Sequence, residues 1–302
     1  MINTLSHKVG ILTAGHTCPG VNTAIKSLAL RELKFGNIVY GYKEGFAGLN
    51  YGMKMELSPD MLTDDAGSIL HMSREDLNMD TAISEISELD KLYCIGGAIT
   101  ISRARQIIQD ERVSTNVICL AKGFTNDISC LESFGFQTTI KVLGEFVNLA
   151  YVEANTSKSI VILETPEDET GNLAKHTYYR NTKKIDKVLI PDLPEDPFFA
   201  DHVYRKYISN GRFAVIIASR GSNYEDVSKT LHEKYEIECK FIKPGSMIGA
   251  TKPGLYDSLL CARMGEEAFF HSMKNRNFIR DAGHYTPLEE YSPVVYLSLI
   301  HI

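Results

Sequence analysis

The chain has 302 residues, which is enough for two domains of ordinary size or one large domain. Apolar residues make up 44% of the sequence and charged residues 23%, and this composition excludes disordered, collagen-like and coiled-coil chains. The formal net charge is −6 and no strongly basic block is present, so we expect no nucleic-acid partner.

The sequence also argues against secretion and membrane insertion. The start, Met1–Lys8, has no basic segment leading into an apolar run, and apolar stretches such as Phe213–Ala218 are far shorter than the roughly 18 residues that span a bilayer. The six cysteines are scattered without a C-x-x-C pair, which argues against a zinc cluster or a disulfide framework. We therefore expect a cytoplasmic protein with no membrane partner, its cysteines serving as small buried hydrophobes.

The first part of the chain alternates strands with helices. Val9–Thr13 is a predicted strand that leads through the glycine turn Ala14–Gly20 into a predicted helix, Asn22–Arg31. The same alternation continues with the predicted strands Val39–Tyr42, Leu92–Ile95 and Asn116–Leu120 and the predicted helix Ile101–Gln109. Such alternation predicts a mainly parallel sheet covered on both faces.

A second α/β unit is predicted farther along the chain. It begins with the long amphipathic stretch Thr138–Asn155 and continues with the predicted strands Ser159–Leu163, Lys187–Ile190 and Phe213–Ala218. The closing part contains a predicted helix, Tyr256–Met273, and a predicted strand, Val294–Ile300. Ligands in sheets of this type bind at the carboxyl ends of the strands.

Three loops that contain glycine follow predicted strands. A loop of this kind that leads into a helix presents N–H groups and the positive end of the helix dipole to an anion such as phosphate. A single glycine after a strand is more often only a turn, so the order of the loops carries more weight than any one of them.

That order resembles the 6-phosphofructokinase family, in particular its branch of pyrophosphate-dependent and plant-type ATP-dependent enzymes. Gly10–Asn22 (GILTAGHTCPGVN) is similar to the family's G-x-L-T-x-G-G-x-x-P-G-x-N loop. Four further segments match in order: Gly41–Leu49 (G-x-x-x-G-x-x-G-L), Gly67–Arg74 (G-[ST]-x-L-x-[ST]-S-R), Ile95–Thr100 (I-G-G-D-G-[ST]) and Ala121–Ile128 (P-K-T-I-D-N-D-I). Later matches are Ser133–Thr138, Tyr151–Ala154, Ile190–Asp192 and Tyr256–Gly265.

The resemblance implies a fold class and a reaction. The fold is α/β, with two three-layer α/β domains of the phosphofructokinase type and a cleft between them. The larger domain, residues 1–137 plus 248–302, would hold the nucleotide or pyrophosphate, and the smaller domain, 138–247, the sugar phosphate. The family transfers a phosphoryl group to the 1-hydroxyl of fructose 6-phosphate, and such transfer depends on positioning, charge neutralisation and metal.

Several residues depart from the family pattern on the donor side. Thr125 matches the aspartate that acts as general base, and loss of such a base costs about 10²–10⁴-fold in rate. Ala98 matches the metal-associated aspartate and has no oxygen for Mg²⁺. Ile99 and His16 replace glycines of the phosphate loops, where bulk would keep phosphate out. The candidate phosphate-loop positions are Gly15, His16, Gly96, Gly97, Ala98 and Ile99.

The sugar-phosphate side is altered as well. Pro166-Glu167-Asp168 stands where the family has M-G-R, inside an acidic segment that starts with Glu164, and carboxylates repel phosphate. Arg220 matches the substrate-binding glutamate of the family's [ST]-E-G motif. The candidate substrate-side residues are therefore Arg220, Glu164 and Asp168, in an altered site.

Three family residues are retained. Lys122 matches the lysine of the pyrophosphate-type loop, Asp127 the second aspartate of that loop, and Arg74 an arginine that faces the transferred phosphate. Together they are candidates for holding an anion, whereas charged residues on loops are often only solvated.

Three functions follow. The first is a non-catalytic homologue that senses a ligand or regulates an active relative, since base, metal and donor positions are all changed. The second is an enzyme repurposed for another substrate, which would use His16, Arg74, Lys122, Asp127, Arg220 or the carboxylates of Glu164–Glu169 in new roles. The third is a working 6-phosphofructokinase.

Cofactors and partners follow from the resemblance. Mg²⁺ with ATP or pyrophosphate is expected only if the family activity survives, and no metal site is predicted otherwise. The family generally forms homodimers or homotetramers, so a homo-oligomer is implied, and a hetero-oligomer with an active relative would suit the first function.

Overall fold

A computed structural model of the chain describes residues 6–126, 128, 132–191, 196–274, 277–280 and 285–289. These residues form two compact units. The first comprises the described residues up to Thr138 and those from Gly249 onward, and the second comprises Thr139–Ile248. The predicted strand Val294–Ile300 lies outside the described residues.

Strands and helices alternate along both units, as predicted. The strands are β1 (Lys8–Thr13), β2 (Ile38–Tyr42), β3 (Lys54–Glu56), β4 (Lys91–Gly96), β5 (Asn116–Ala121), β6 (Ile160–Thr165), β7 (Lys187–Leu189), β8 (Ala214–Ser219), β9 (Cys239–Ile242), β10 (Phe278–Arg280) and β11 (Tyr285–Pro287). The helices are α1 (Val21–Lys34), α2 (Phe46–Tyr51), α3 (Met79–Ser87), α4 (Ala98–Ile108), α5 (Phe136–Ser157), α6 (Asn172–Arg180), α7 (Phe199–Ser209), α8 (Tyr224–Tyr235) and α9 (Leu255–Ser272). Two short 3₁₀ helices cover Pro59–Met61 and Gly245–Ala250.

The sheet of the first unit has the strand order β11-β10-β5-β4-β1-β2-β3. Its pairs are parallel except at the two edges, where β3 and β11 pair antiparallel. This confirms the expected mainly parallel sheet, and antiparallel edge strands are common on such sheets. The chain runs outward from β1 to β3 and then returns to β4 on the other side of β1. The switch point of this topology therefore lies between β1 and β4.

Each face of this sheet is covered by its own helices. Leu92 and Cys94 of β4 lie in one hydrophobic cluster with residues of α2, α3 and α4, such as Ile101. Tyr93 points to the opposite face, where its hydroxyl donates to Glu32 of α1 (2.7 Å) and lies 3.1 Å from the hydroxyl of Ser272 of α9. Because side chains alternate along β4, the sheet is packed between helices on both faces, which gives three layers in all.

The sheet of the second unit is all parallel, with the order β7-β8-β6-β9. Ile160 and Ile162 pack with residues of α7 and α8 on one face. Val161 and Leu163 pack with residues of α5 and α6 on the other face. The α/β fold expected for both halves is confirmed.

The cysteines that the structure describes are free. Cys94 and Cys119 are register partners on β4 and β5, and both are fully buried. Cys18 and Cys261 are also buried, whereas Cys239 is partly exposed. Burial raises the pKa of the Cys18 thiol to about 12. The four buried cysteines are therefore packing residues, as expected from their scatter in the sequence.

Candidate functional site

Three loops meet at the carboxyl ends of β1, β4 and β5. The N–H of Ala14 donates to the carbonyl oxygen of Ile95 (3.1 Å), and the N–H of Lys122 donates to that of Gly96 (3.0 Å). These bonds connect the residue after each strand to the end of the neighbouring strand. Because open α/β sheets bind ligands at such a switch point, this edge of the first sheet is the candidate site.

The loop after β1 brings His16 against Arg74. Gly15 has a positive φ of 85°, which glycine adopts without strain, and its N–H donates to the carbonyl of Ser73 (3.2 Å). Arg74 Nη2 lies 2.9 Å from His16 Nδ1 and 2.6 Å from His16 Nε2. The guanidinium therefore faces an imidazole that stands at a glycine position of the family loop.

Lys122 is a buried cation at the end of β5. Its side chain is 3% exposed, and its Nζ donates to the carbonyl oxygen of His16 and lies 4.0 Å from Met72 Sδ. Within the described residues, no carboxylate forms an ion pair with it. Burial lowers the pKa of the Lys122 ammonium, because an uncompensated charge is disfavoured in the interior. An anionic ligand would compensate this charge.

The loop after β4 leads directly into α4. Gly97 precedes the helix with φ −87° and, as a glycine at the N-cap, has no side chain to cap the first turn. Ala98 and Ile99 form that turn and both are exposed, Ile99 to 74%. The side chains at these two positions therefore offer no oxygen to a metal ion at the start of α4.

The loop after β5 holds the position that the resemblance assigns to the general base. Thr125 is buried, at 7% exposure, beside the buried Phe124. The next residue, Asn126, has a positive φ of 51°, and its Oδ1 accepts the N–H of Ser133 (2.8 Å). Asp127, a retained candidate, lies outside the described residues.

Mg²⁺ is the metal that the family resemblance implies, and the described side chains do not fit it. Among residues 6–126, 128 and the later described ranges, no group of three His, Cys, Asp or Glu side chains could hold a metal ion. Hard cations such as Mg²⁺ need oxygen ligands, and Ala98 and Thr125 supply no carboxylate.

In the second unit the loops after β6 and β8 are joined by an ion pair. Arg220 Nη1 lies 2.9 Å from Glu167 Oε1, and the N–H of Arg220 donates to the carbonyl of Thr165 (3.3 Å). Both side chains are partly exposed. Arg220 therefore pairs within its own unit with the residue that stands at the glycine of the family's M-G-R turn.

Glu164 lies in a separate cluster on the same sheet. The hydroxyl of Tyr224 donates to Glu164 Oε2, and Lys243 Nζ lies 3.8 Å from the same oxygen. Lys243 Nζ also lies 5.1 Å from the centroid of the Tyr224 ring. Burial is the main cause that raises the pKa of Tyr224.

Asp168, a candidate substrate-side residue of the acidic segment, is held inside its own unit. Its side chain is fully buried, and Oδ2 accepts the hydroxyl of Thr165 (2.8 Å) and the N–H of Ala174 at the start of α6 (2.9 Å). Burial raises the pKa of the Asp168 carboxyl. Asp168 therefore connects the loop after β6 to the first turn of α6, because the free N–H groups at the start of a helix attract a carboxylate.

The candidates thus separate into two groups. The first unit brings together Gly15, His16, Arg74, Gly96, Gly97, Ala98, Ile99, Lys122 and Thr125 on neighbouring loops, whereas Glu164, Asp168 and Arg220 belong to the second unit.

Sequence reasoning did not single out Tyr224 and Lys243 as partners of Glu164. The position of Tyr224 could have indicated it, because this residue begins α8 shortly after the end of β8, where ligand-binding residues of such sheets lie.

Among the described residues, no helix is long and apolar enough to cross a bilayer.

Proteins with similar sequences match about three quarters of the chain. An ATP-dependent 6-phosphofructokinase 2 of Arabidopsis thaliana is 27% identical over 248 residues, covering 76% of this chain and 55% of the relative. A pyrophosphate–fructose 6-phosphate 1-phosphotransferase of Dictyoglomus thermophilum is 28% identical over 226 residues, covering 71% of this chain and 64% of the relative. The chain therefore spans somewhat more than half the length of each.

A solved structure shares the fold at low sequence identity. The pyrophosphate-dependent phosphofructokinase of Nitrosospira multiformis superposes with a TM-score of 0.83 at 13% identity, covering 96% of this chain and 85% of that one. The sequence profile of the phosphofructokinase family matches residues 8–271 of this chain. The chain belongs to the phosphofructokinase family.

Proposed function

We propose that this chain is a non-catalytic member of its family that binds a phosphate-bearing ligand as a sensor or regulatory subunit. The observation that carries the proposal is Thr125 at the position of the general base, where it is 7% exposed. A threonine hydroxyl has no pKa near neutrality, so it does not take a proton from a sugar hydroxyl as a carboxylate does.

The start of α4 supports the same conclusion independently. Phosphoryl transfer requires metal ions to neutralise developing charge. Ala98 and Ile99 offer neither a carboxylate nor a hydroxyl. Base and metal would both have to come from elsewhere for the family reaction to proceed.

Ligand binding is supported by the charges that remain. The buried ammonium of Lys122 and the guanidinium of Arg74 both contact His16, through its carbonyl oxygen and its ring respectively. Cations of this kind form strong, charge-assisted hydrogen bonds with phosphate oxygens. The same loop edge therefore suits an anion although it lacks the groups for transfer.

An activity assay tests the catalytic half of the proposal. The purified chain is given fructose 6-phosphate and Mg²⁺ with either ATP or pyrophosphate, and sugar bisphosphate is measured. We expect no turnover above the protein-free blank. The triple variant Ala98→Asp, Ile99→Gly, Thr125→Asp serves as comparison, since it restores the family's residues on this scaffold. Turnover by the unmodified chain would instead identify a working 6-phosphofructokinase.

A thermal-shift screen tests the binding half. Inorganic phosphate, pyrophosphate, ATP, ADP and fructose 6-phosphate are each added with and without Mg²⁺. Ligand at about 100 times its Kd stabilises the native state by about 2.7 kcal/mol, so we expect a rise in Tm with at least one phosphate compound. The rise should vanish in Lys122→Met and persist in Lys229→Met, which alters an exposed lysine of α8. Absence of any shift would reject the sensor role and favour an enzyme for a different substrate.

A further inference from the structure

Met72 contacts the buried cation of the candidate site through its sulfur atom. The sulfur, Sδ, lies 4.0 Å from Lys122 Nζ, and Lys122 is 3% exposed. Met72 belongs to the segment Gly67–Arg74 and precedes Arg74 by two residues. A thioether sulfur is only a weak hydrogen-bond acceptor and donates nothing to a phosphate. Phosphate binding therefore does not explain why a methionine lies against this ammonium.

The backbone on both sides of Met72 is held in place. The carbonyl oxygen of His71 accepts the hydroxyl of Thr13 (3.0 Å), and the carbonyl oxygen of Ser73 accepts the N–H of Gly15 (3.2 Å). His71 has a positive φ of 58°, a conformation that costs free energy in a residue with a Cβ atom. These two hydrogen bonds and the strained residue therefore hold the methionine beside the loop after β1.

The ammonium of Lys122 lacks a second strong acceptor within the part of the chain that the structure describes. It has three N–H donors, and its acceptors there are the carbonyl oxygen of His16 and the sulfur of Met72. The carbonyl is a strong acceptor, whereas the thioether is a weak one. Because burial disfavours the charged form of Lys122, a stronger acceptor at the position of the sulfur would stabilise the ammonium.

Oxidation of the sulfur supplies such an acceptor. We propose that Met72 is a regulatory oxidation site, at which hydrogen peroxide converts the thioether into a sulfoxide whose oxygen accepts a hydrogen bond from Lys122. A sulfur lone pair attacks one peroxide oxygen, so that an S–O bond forms, the O–O bond breaks and the second oxygen leaves as water with both protons. The sulfur loses two electrons and the peroxide gains them. Met72 is partly exposed, so an oxidant as small as hydrogen peroxide reaches it.

The sulfoxide oxygen competes with an anion for the ammonium. An S–O bond directed at Nζ across the gap of 4.0 Å leaves a separation in the hydrogen-bond range. The methionine side chain has three rotatable bonds, so it can turn the oxygen of either sulfoxide epimer towards Lys122. That oxygen carries partial negative charge and repels a phosphate oxygen on the same side of the ammonium. Oxidation therefore weakens phosphate binding, a form of regulation that rests on the proposed function.

Peroxide treatment followed by titration with pyrophosphate tests the regulation. Peptide mass spectrometry should find one added oxygen atom on Met72, and isothermal titration calorimetry should find pyrophosphate bound about tenfold more weakly. Treatment with two methionine sulfoxide reductases, one for each epimer, should restore the affinity. An unchanged affinity after oxidation of Met72 would overturn the proposal. So would a Met72 that stays unoxidised while Met247, 80% exposed, is fully oxidised.

Two leucine variants separate Met72 from the other methionines. Met72→Leu removes the sulfur at similar volume, so its affinity for pyrophosphate should no longer change on peroxide treatment. The matched control Met247→Leu alters an exposed methionine of the short helix Gly245–Ala250 and should keep the full response to peroxide. Met72→Gln carries an amide oxygen without oxidation and should bind pyrophosphate more weakly than the untreated chain. A peroxide response that persists in Met72→Leu would assign the effect to another residue and refute the proposal.

Thermal unfolding without ligand distinguishes failure of this inference from failure of the proposed function. A chain that binds no phosphate compound contradicts the proposed function, yet the hydrogen bond from Lys122 to the sulfoxide is still measurable. The change in Tm on oxidation should be a few degrees more positive in the unmodified chain than in Lys122→Leu, which has no donor at this position. Equal changes in the two proteins would overturn the inference even where the untreated chain binds pyrophosphate.

Discussion

The side chains of His16 and Arg74 contact each other beside the carboxyl ends of the strands of the first sheet. Arg74 Nη2 lies 2.6 Å from His16 Nε2 and 2.9 Å from His16 Nδ1. A guanidinium has only donors and a neutral imidazole has one acceptor nitrogen, so one of these two ring nitrogens accepts a hydrogen bond from Arg74. Arg74 therefore has to leave an existing partner before it can bind a phosphate oxygen.

Removing the imidazole is expected to strengthen anion binding. In His16→Ala the guanidinium of Arg74 loses this competitor, and a hydrogen bond to a charged group is worth about 1.5–3 kcal/mol. We expect pyrophosphate to bind about tenfold more tightly, measured by isothermal titration calorimetry at constant pH. The matched variant His16→Gln keeps a hydrogen-bond acceptor and should show a smaller gain.

Arg74→Ala supplies the control for this prediction. If Arg74 is the group released, the gain in affinity caused by His16→Ala should disappear in the double variant. An equal gain with and without Arg74 would mean that the imidazole acts by steric exclusion alone.

The buried ammonium of Lys122 is expected to limit stability at neutral pH. Because burial lowers its pKa, the unfolded chain holds this proton more tightly than the folded chain does. The free energy of unfolding therefore rises with pH from the lowered pKa up to the ordinary lysine value.

Lys122→Met removes this charge and keeps an unbranched side chain that is one heavy atom shorter. At pH 7 and without ligand we expect the variant to be as stable as the unmodified chain or about 1–3 kcal/mol more stable, since an apolar group suits the buried position. The difference should shrink as the pH rises towards 10, and urea unfolding at several pH values measures it. A difference independent of pH would contradict the assignment of the effect to the ammonium.

Much of the fold was predictable because buried strands carry their own signal. The apolar run Val9–Thr13 lies within β1, and Asn116–Leu120 within β5. Strands β3, β9, β10 and β11 were not predicted. The polar edge strand β3, for example, is defined by its pairing with β2. Helices α2, α3, α6, α7 and α8 were not predicted either. The α6 sequence NLAKHTYYR, for example, has no clear apolar periodicity.

The site was predictable only as far as its loops. The ordered glycine motifs located Gly15, Gly96 and Lys122 at strand ends, where the structure places them. The pairing of His16 with Arg74 joins residues 58 positions apart, and that of Glu164 with Tyr224 joins residues 60 positions apart. Such contacts depend on which strands are neighbours in the sheet, and a single sequence does not state that order.

The carboxyl of Asp168 is expected to destabilise the second unit as the pH rises. Its pKa is raised by burial, so the folded chain binds the proton more tightly than the unfolded chain. The free energy of unfolding therefore falls between the ordinary aspartate pKa and the raised value.

Asp168→Asn removes the titration and keeps an oxygen for the N–H of Ala174. We expect the stability of the variant relative to the unmodified chain to increase from pH 4 to pH 7, measured by urea unfolding of both proteins. Because both chains share their other carboxyl groups, the difference isolates Asp168. Parallel stability curves would show that the carboxyl has the same pKa in both states.

Gly96 at the end of β4 is expected to tolerate no side chain. A Cβ atom there would lie 2.1 Å from Thr100 Oγ1 and 2.4 Å from Thr100 Cβ, inside the first turns of α4. Gly96→Ala should therefore force α4 away from the strand end and cost about 1–3 kcal/mol. The neighbouring Gly97 is the matched control, since a Cβ there would lie 3.5 Å from the carbonyl oxygen of Lys122, an ordinary contact distance, and its φ of −87° suits any residue.

Gly97→Ala should cost less than about 1 kcal/mol, the usual loss for alanine at a helix N-cap. Thermal unfolding of the two variants gives the comparison, and shortening Thr100 to alanine should recover part of the loss in Gly96→Ala. Equal losses at both glycines would mean that the loop needs glycine for its backbone, and that the contact between Gly96 and Thr100 does not fix the start of α4.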